Sequence, residues 1–87
     1  MIFEAKRSES DIIQKILSET RDGIKKTQLM YNANMSNTQL SRYLDILLEK
    51  EFIKEKENGN GKKYHLTDKG TKLLDPLNEV ITIIHEN

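Results

Sequence analysis

Eighty-seven residues with 14 basic and 14 acidic side chains make one small, formally neutral domain, near the lower limit of what a single core stabilises unaided. Neutrality counts against a sequence-indifferent DNA packer that works by bulk charge, although it leaves room for local basic patches. The lack of cysteine excludes a disulfide scaffold and a thiolate-bound zinc; no stretch approaches the roughly 20 apolar residues of a membrane span, and Met1–Arg7 lacks a secretory-signal pattern, so a cytoplasmic protein without membrane contact is expected.

Ser8-Glu-Ser-Asp11 has the composition of a helix start, with acids placed to favour the positive end of the helix dipole. Ile12, Ile13, Ile16 and Leu17 then bury one side of a helix to about Thr20. Arg21-Asp-Gly23 ends it through a left-handed glycine. Ile24 and Lys25 are too few for a free strand but enough for one short edge pairing. Lys26 or Thr27 opens a second short helix with Leu29, Met30 and Ala33 inward, closed by Asn34.

After the bridging Met35, Ser36 to Lys50 reads as the helix that the rest of the chain frames. Ser36 and Gln39 have the spacing of a capping box. Leu40, Tyr43, Leu44, Leu47 and Leu48 form one apolar stripe. The other face carries Asn37, Thr38, Gln39, Ser41, Arg42 and Asp45. Amides, hydroxyls and one guanidinium at a helix N-terminus are groups that read base edges in a major groove. An ordinary amphipathic helix with a good cap fits the same residues.

Beyond Lys50 the period changes to alternating. Phe52-Ile-Lys-Glu-Lys56 and Lys62-Lys-Tyr-His-Leu66 are short strand candidates around the loop Glu57-Asn-Gly-Asn-Gly61. Ile53, Tyr64 and Leu66 face the core in that pairing. Lys54, Lys56, Lys63 and His65 face solvent, where lysines also serve as edge protection. Thr67-Asp-Lys-Gly70 caps a last helix. Its Leu73, Leu77, Val80 and Ile84 recur as a coiled-coil seam, widened by Leu74 and Ile81. Pro76 within it predicts a kink, or a restart capped by Asp75.

Helix, short strand, helix, turn, helix, hairpin, helix is the order of a winged helix-turn-helix domain. The expected class is mainly α with a small β-hairpin and an additional C-terminal helix. One domain over 1–87 is expected, with a core winged helix over about 8–67 and a dimerisation helix over 68–86. Lys26 through Asn34, Ser36 through Leu48, Glu49 through Ile53, Tyr64 through Thr67 and Lys69-Gly70 resemble the small winged-helix proteins widespread in archaea. Some of that group are dimeric, chromatin-associated DNA binders. The resemblance covers roughly residues 8–75. Its most specific pieces are the Leu-Met-Tyr-x-Ala-Asn helix and the strand ending Leu-Thr-x-x-Gly. It implies a winged-helix fold, DNA binding and dimerisation through the C-terminal helix. Members often carry Gly where this chain has Glu51, and the basic dimeric subset has a longer, uninterrupted C-terminal helix.

In such a domain the helix from Asn37 enters the major groove and the hairpin lies along the backbone or minor groove. Arg42 suits a guanine, and Asn37 and Gln39 suit adenine. Asn37, Thr38 and Ser41 also suit phosphates, and Lys25, Lys26, Lys62 and Lys63 are candidates for backbone neutralisation. Blander roles fit too: Arg42 paired with Asp45, Asn37 filling the first turn, lysines in solvent. Leu73, Leu77, Val80, Ile81 and Ile84 exceed what a chain this small can cover, so a homodimer through them is expected. Catalysis finds little support. His65 and His85 fall in different elements without metal-ligand spacing, Asp68 and Asp75 suit helix charges, and no glycine-rich loop precedes a helix. No cofactor, metal or enzymatic activity is expected. A nucleoid-associated DNA-binding regulator is the favoured function, and a winged-helix protein-interaction module is the alternative.

Overall fold

Local backbone chemistry sets where each element starts and stops. The computed structural model describes residues 8–85. Met1–Arg7, the His85 side chain and residue 86, to which the sequence extends the last helix, lie outside the described residues. Helix α1 spans Glu9–Glu19. Ser8 Oγ accepts the Asp11 N–H at 3.1 Å and the Asp11 carboxylate accepts the Ser8 N–H at 3.4 Å, a complete capping box. Helix α2 spans Lys26–Ala33 and α3 spans Asn37–Glu49. Ser36 caps α3 by accepting the Gln39 N–H at 3.2 Å, so among the described residues the box expected there forms only in its forward half.

Helices α2 and α3 end alike. Met35 N–H reaches the Met30 carbonyl and Asn34 N–H the Tyr31 carbonyl, at 3.1 and 3.2 Å. Phe52 N–H reaches Leu47 and Glu51 N–H reaches Leu48, at 2.9 and 3.0 Å. Both are Schellman closures, which need a left-handed residue at the bend. Asn34 (φ 55°) suits it; Glu51 (φ 64°) takes it despite its Cβ. That is the physical reason the resembling proteins often carry glycine at this position.

Strands β1 (Ile53–Asn58) and β2 (Gly61–Leu66) pair antiparallel, Ile53 opposite Leu66 and Asn58 opposite Gly61. The strands are longer and the loop shorter than the sequence suggests. The Asn58 side chain accepts the Asn60 N–H at 2.8 Å, which turns the chain within two residues. Ile24 adds the expected edge pairing, a bridge to Tyr64. Helix α4 spans Asp68–His85. It runs through Pro76 without a restart at Asp75. Pro76 and Lys72 are both exposed, so the carbonyl that proline leaves unpaired meets water.

The core gathers Ile12, Ile16 and Leu17 of α1, Leu29 of α2, and Leu40, Leu44 and Leu47 of α3, closed by Ile53, Tyr64 and Leu74. Tyr64 is buried as the strand pattern requires, and Leu66 is partly buried against the same cluster. Leu74, read from sequence as widening the outer seam, is instead fully buried here.

One joint fixes α4 to the wing. The Thr67 hydroxyl donates to the Glu51 carbonyl at 2.7 Å and accepts the Gly70 N–H at 2.9 Å. The Thr67 N–H donates to the Phe52 carbonyl at 3.1 Å. Gly70 is buried directly against that carbonyl, and a Cβ there collides with it. This accounts for the Leu-Thr-x-x-Gly pattern. Gly70→Ala is expected to lower stability by about 1–3 kcal/mol, the usual cost of overpacking. Glu51→Gly is expected to raise it by about 1 kcal/mol by relieving the left-handed residue. Thermal melts check both, with a shift of about 4–8 °C per kcal/mol for a domain of this size.

Candidate nucleic-acid interface

The Ser36 cap leaves the first turn of α3 free of other duties. Asn37, Thr38 and Gln39 are exposed there, and Arg42 is exposed one turn later. The ion pairs among the described residues are Lys15–Glu19 and Lys62–Glu55, so Arg42 is not engaged by Asp45. Ser41 is half-buried, and its Oγ accepts the Lys26 ammonium at 2.6 Å. The structure therefore ties the start of α2 to the polar face of α3. Lys25, the exposed N-cap residue of α2, stands next to that link.

The wing separates the two lysines that sequence reasoning grouped. Neighbours along a strand point to opposite faces, and residues directly opposite share one. Lys62 sits opposite Glu57 on the face that carries Tyr64, and its Nζ lies 3.7 Å from Glu55. Lys63 sits opposite Lys56 on the outer face, beside the Lys54–His65 pair. Lys25 reaches that same side, lining one notch with Gln28 and Lys63. Lys25 and Lys63 are thus brought together, and Lys62 is not brought with them.

The two faces differ electrostatically. Burial, then Lys56, Lys54 and Lys63, holds the His65 imidazole below its ordinary value. The ring packs on Gly23, where a Cβ has no room and φ is +89°. On the inner face burial, then Glu55, pushes the Tyr64 hydroxyl above its ordinary value of 10.0, with a smaller contribution from Asp45 of α3 and an opposing one from Lys62. Lys54, Lys56 and His65 were read from sequence as solvent-facing residues rather than site residues; the period-two alternation that groups them with Lys63 was the available signal.

No group of three His, Cys, Asp or Glu that could hold a metal occurs among the described residues. No described helix is long and apolar enough to cross a membrane. Along α4, Leu73, Leu77 and Ile81 are half-buried, while Val80, Ile83 and Ile84 are 51%, 64% and 68% exposed. Ile83 lies beside the expected seam and was not read as part of it.

Residues 6–85 match the winged helix-turn-helix family. The chain is 37% identical over 81 residues to an uncharacterized protein of Methanocaldococcus jannaschii, covering 92% of this chain and 79% of that one. Its structure is similar to Sso10a-2, a DNA-binding protein from Sulfolobus solfataricus, with a TM-score of 0.80 at 27% identity over 88% of this chain and 81% of that one. It is also similar to F93 from STIV, a winged-helix DNA-binding protein, with a TM-score of 0.74 at 27% identity over 87% and 89% of the two chains.

The raised Tyr64 pKa has a direct consequence. The folded state favours the neutral phenol, so this stabilisation is complete below pH 10 and is lost as pH rises through the raised value. Tyr64→Phe is expected to move the alkaline unfolding midpoint upward, as followed by circular dichroism.

Proposed function

Because the chain belongs to the winged helix-turn-helix family, we propose that it is a DNA-binding regulator that acts as a homodimer. Asn37, Gln39 and Arg42 at the start of α3 read base edges, and Thr38, Ser41, Lys25, Lys26 and Lys63 hold phosphates. The observation that carries this reading is the exposed guanidinium of Arg42 on a capped helix, unpaired with Asp45 and flanked by short polar side chains. Such groups suit direct readout in a major groove. Two structural neighbours that are DNA-binding proteins support it.

Residues 8–67 form the DNA-contacting unit, and the helix from Asp68 carries the dimer contact. Val80, Ile83 and Ile84 project into solvent beyond the core-facing Leu74, and Leu77 and Ile81 are only half-covered. An apolar row of this kind marks a partner surface. The protein acts by binding rather than by catalysis, in the cytoplasm and in association with the nucleoid.

Fluorescence anisotropy with a mixed-sequence duplex at ~50 mM salt tests the DNA reading. Binding at micromolar protein is expected, and no binding at tens of micromolar hands the case to a protein-interaction module. Arg42→Ala is expected to reduce preference for a selected site by about 1–3 kcal/mol, if its contact is bidentate, with little change on random sequence. For the dimer, light scattering on Leu77→Glu/Ile84→Glu is expected to show a folded monomer. A wild type already monomeric at high micromolar concentration overturns that part.

A further inference from the structure

One edge of the wing is unpaired, and the bonds made by β2 identify the main-chain groups that lie along it. Tyr64 exchanges both of its bonds with Ile24, and the Leu66 N–H goes to Thr20, so these two residues turn their polar groups away from β1. In the antiparallel register the ladder bonds of β1 therefore fall on Lys54 and Lys56, while Glu55 and Glu57 direct their N–H and C=O groups outward along the open edge. Both glutamates are exposed. A groove of about 720 Å³ runs beside this edge, with Leu48 of α3 and Ile53 as its apolar floor and Thr67 and Lys69 at the start of α4 on its rim.

The charges along the edge are matched on one face only. On the inner face Glu55 lies 3.7 Å from Lys62, and Glu57 stands opposite the same lysine. On the outer face Lys54 stands opposite His65 and Lys56 opposite Lys63, with no carboxylate at the outer positions of the described strands. Lysines on an open edge deter sheet-to-sheet pairing. Here they deter a second copy in particular, because two β1 strands paired antiparallel about Glu55 set Lys54 against Lys56, like charge against like. An incoming strand with acids at those two places meets the opposite sign. Those acids also fall in the non-hydrogen-bonded pairs of the new ladder, where side chains are closest. Edge protection by itself calls for no apolar groove alongside.

We propose that the open edge of β1 binds an extended acidic peptide by strand addition. The peptide runs antiparallel, the slightly more stable pairing. It exchanges main-chain bonds with Glu57 and Glu55, sets carboxylates against Lys56 and Lys54, and places an apolar side chain in the groove over Ile53 and Leu48. From its N-terminus the pattern is neutral, acidic, neutral, acidic, apolar. Nucleic acid fits this edge less well, since phosphates accept from the two N–H groups but offer no donor to the two carbonyls. The proposal goes beyond the DNA reading, which uses none of these residues.

The probe is the acetylated and amidated peptide Thr-Glu-Thr-Glu-Leu, titrated into the full chain and followed by amide resonances. Binding is expected to slow hydrogen exchange of the Glu55 and Glu57 N–H groups. N-methylation of the peptide at both Thr, which removes its donors to the edge, is expected to abolish binding, and N-methylation at both Glu to leave it. Lys54→Ala/Lys56→Ala is expected to weaken binding roughly 2- to 30-fold, the worth of two opposite-charge cross-strand pairs, without lowering the melting temperature. Binding that survives N-methylation of both Thr overturns strand addition. Equal binding of Thr-Lys-Thr-Lys-Leu overturns the acidic chemistry. No binding at roughly millimolar peptide overturns the site altogether. Duplex DNA that slows exchange at Glu55 and Glu57 where the peptide does not overturns it in favour of nucleic acid.

Discussion

Three backbone hydrogen bonds attach the wing to the segment between α1 and α2, and the placement of the wing's surface groups depends on them. Leu66 N–H donates to the Thr20 carbonyl at 2.8 Å, and Ile24 and Tyr64 exchange bonds of 3.0 and 2.9 Å. Thr20 and Tyr64 are buried and the other two residues half-buried, so an orphaned partner costs about 1–3 kcal/mol. A two-stranded hairpin alone is marginal in water. Pinned in this way it gains a one-residue bridge on the far side of β2, and Tyr64 is delivered to the core. The same bonds set Lys25 beside Lys63, which no property of either lysine requires.

The second joint, at Thr67, determines what α4 can do. Its first turn is locked to the Glu51 and Phe52 carbonyls, and Leu74 enters the core. Farther along, Gln14 of α1 donates to the Asn78 side chain at 2.8 Å. Past that contact apolar side chains begin to emerge into solvent. The apolar stripe thus divides, its near part used within the chain and its far part left over. A helix that only completed the core would end its apolar pattern where the core ends.

Net neutrality conceals a sorted surface. The strand pleat puts Glu55, Glu57 and Lys62 on one face and Lys54, Lys56 and Lys63 on the other. Long-range attraction to a polyanion is weak for a neutral molecule, but contacts within a Debye length, about 8 Å in physiological salt, respond to the local sign. A chain of zero formal charge can therefore present a face that is wholly basic.

Helix limits were legible because caps are local. Ser8, Asn34 and Ser36 each act within a few residues of their own position, and the change of period after Lys50 announced the hairpin. The element order, and with it the fold, followed. Even the Ile24 edge pairing was visible, as two extended residues stranded between helices. Glu51 was marked only by comparison with glycine-bearing relatives; its left-handed bend comes from the way α3 closes onto Leu47 and Leu48. Other features were decided by contacts distant in sequence. The strands lengthened because the register let Asn58 meet Gly61. Leu74 and Val80 both fit an apolar stripe, and only packing against the core separated the buried one from the exposed one. Period two with Tyr64 inward already turned Lys63 outward and away from Lys62, but that Lys25 lines the same notch as Lys63 depends on the Ile24 bridge to the other side of β2. Local hydrogen bonding and periodicity are written residue by residue; the side of a sheet that meets solvent is set by what packs against its other side.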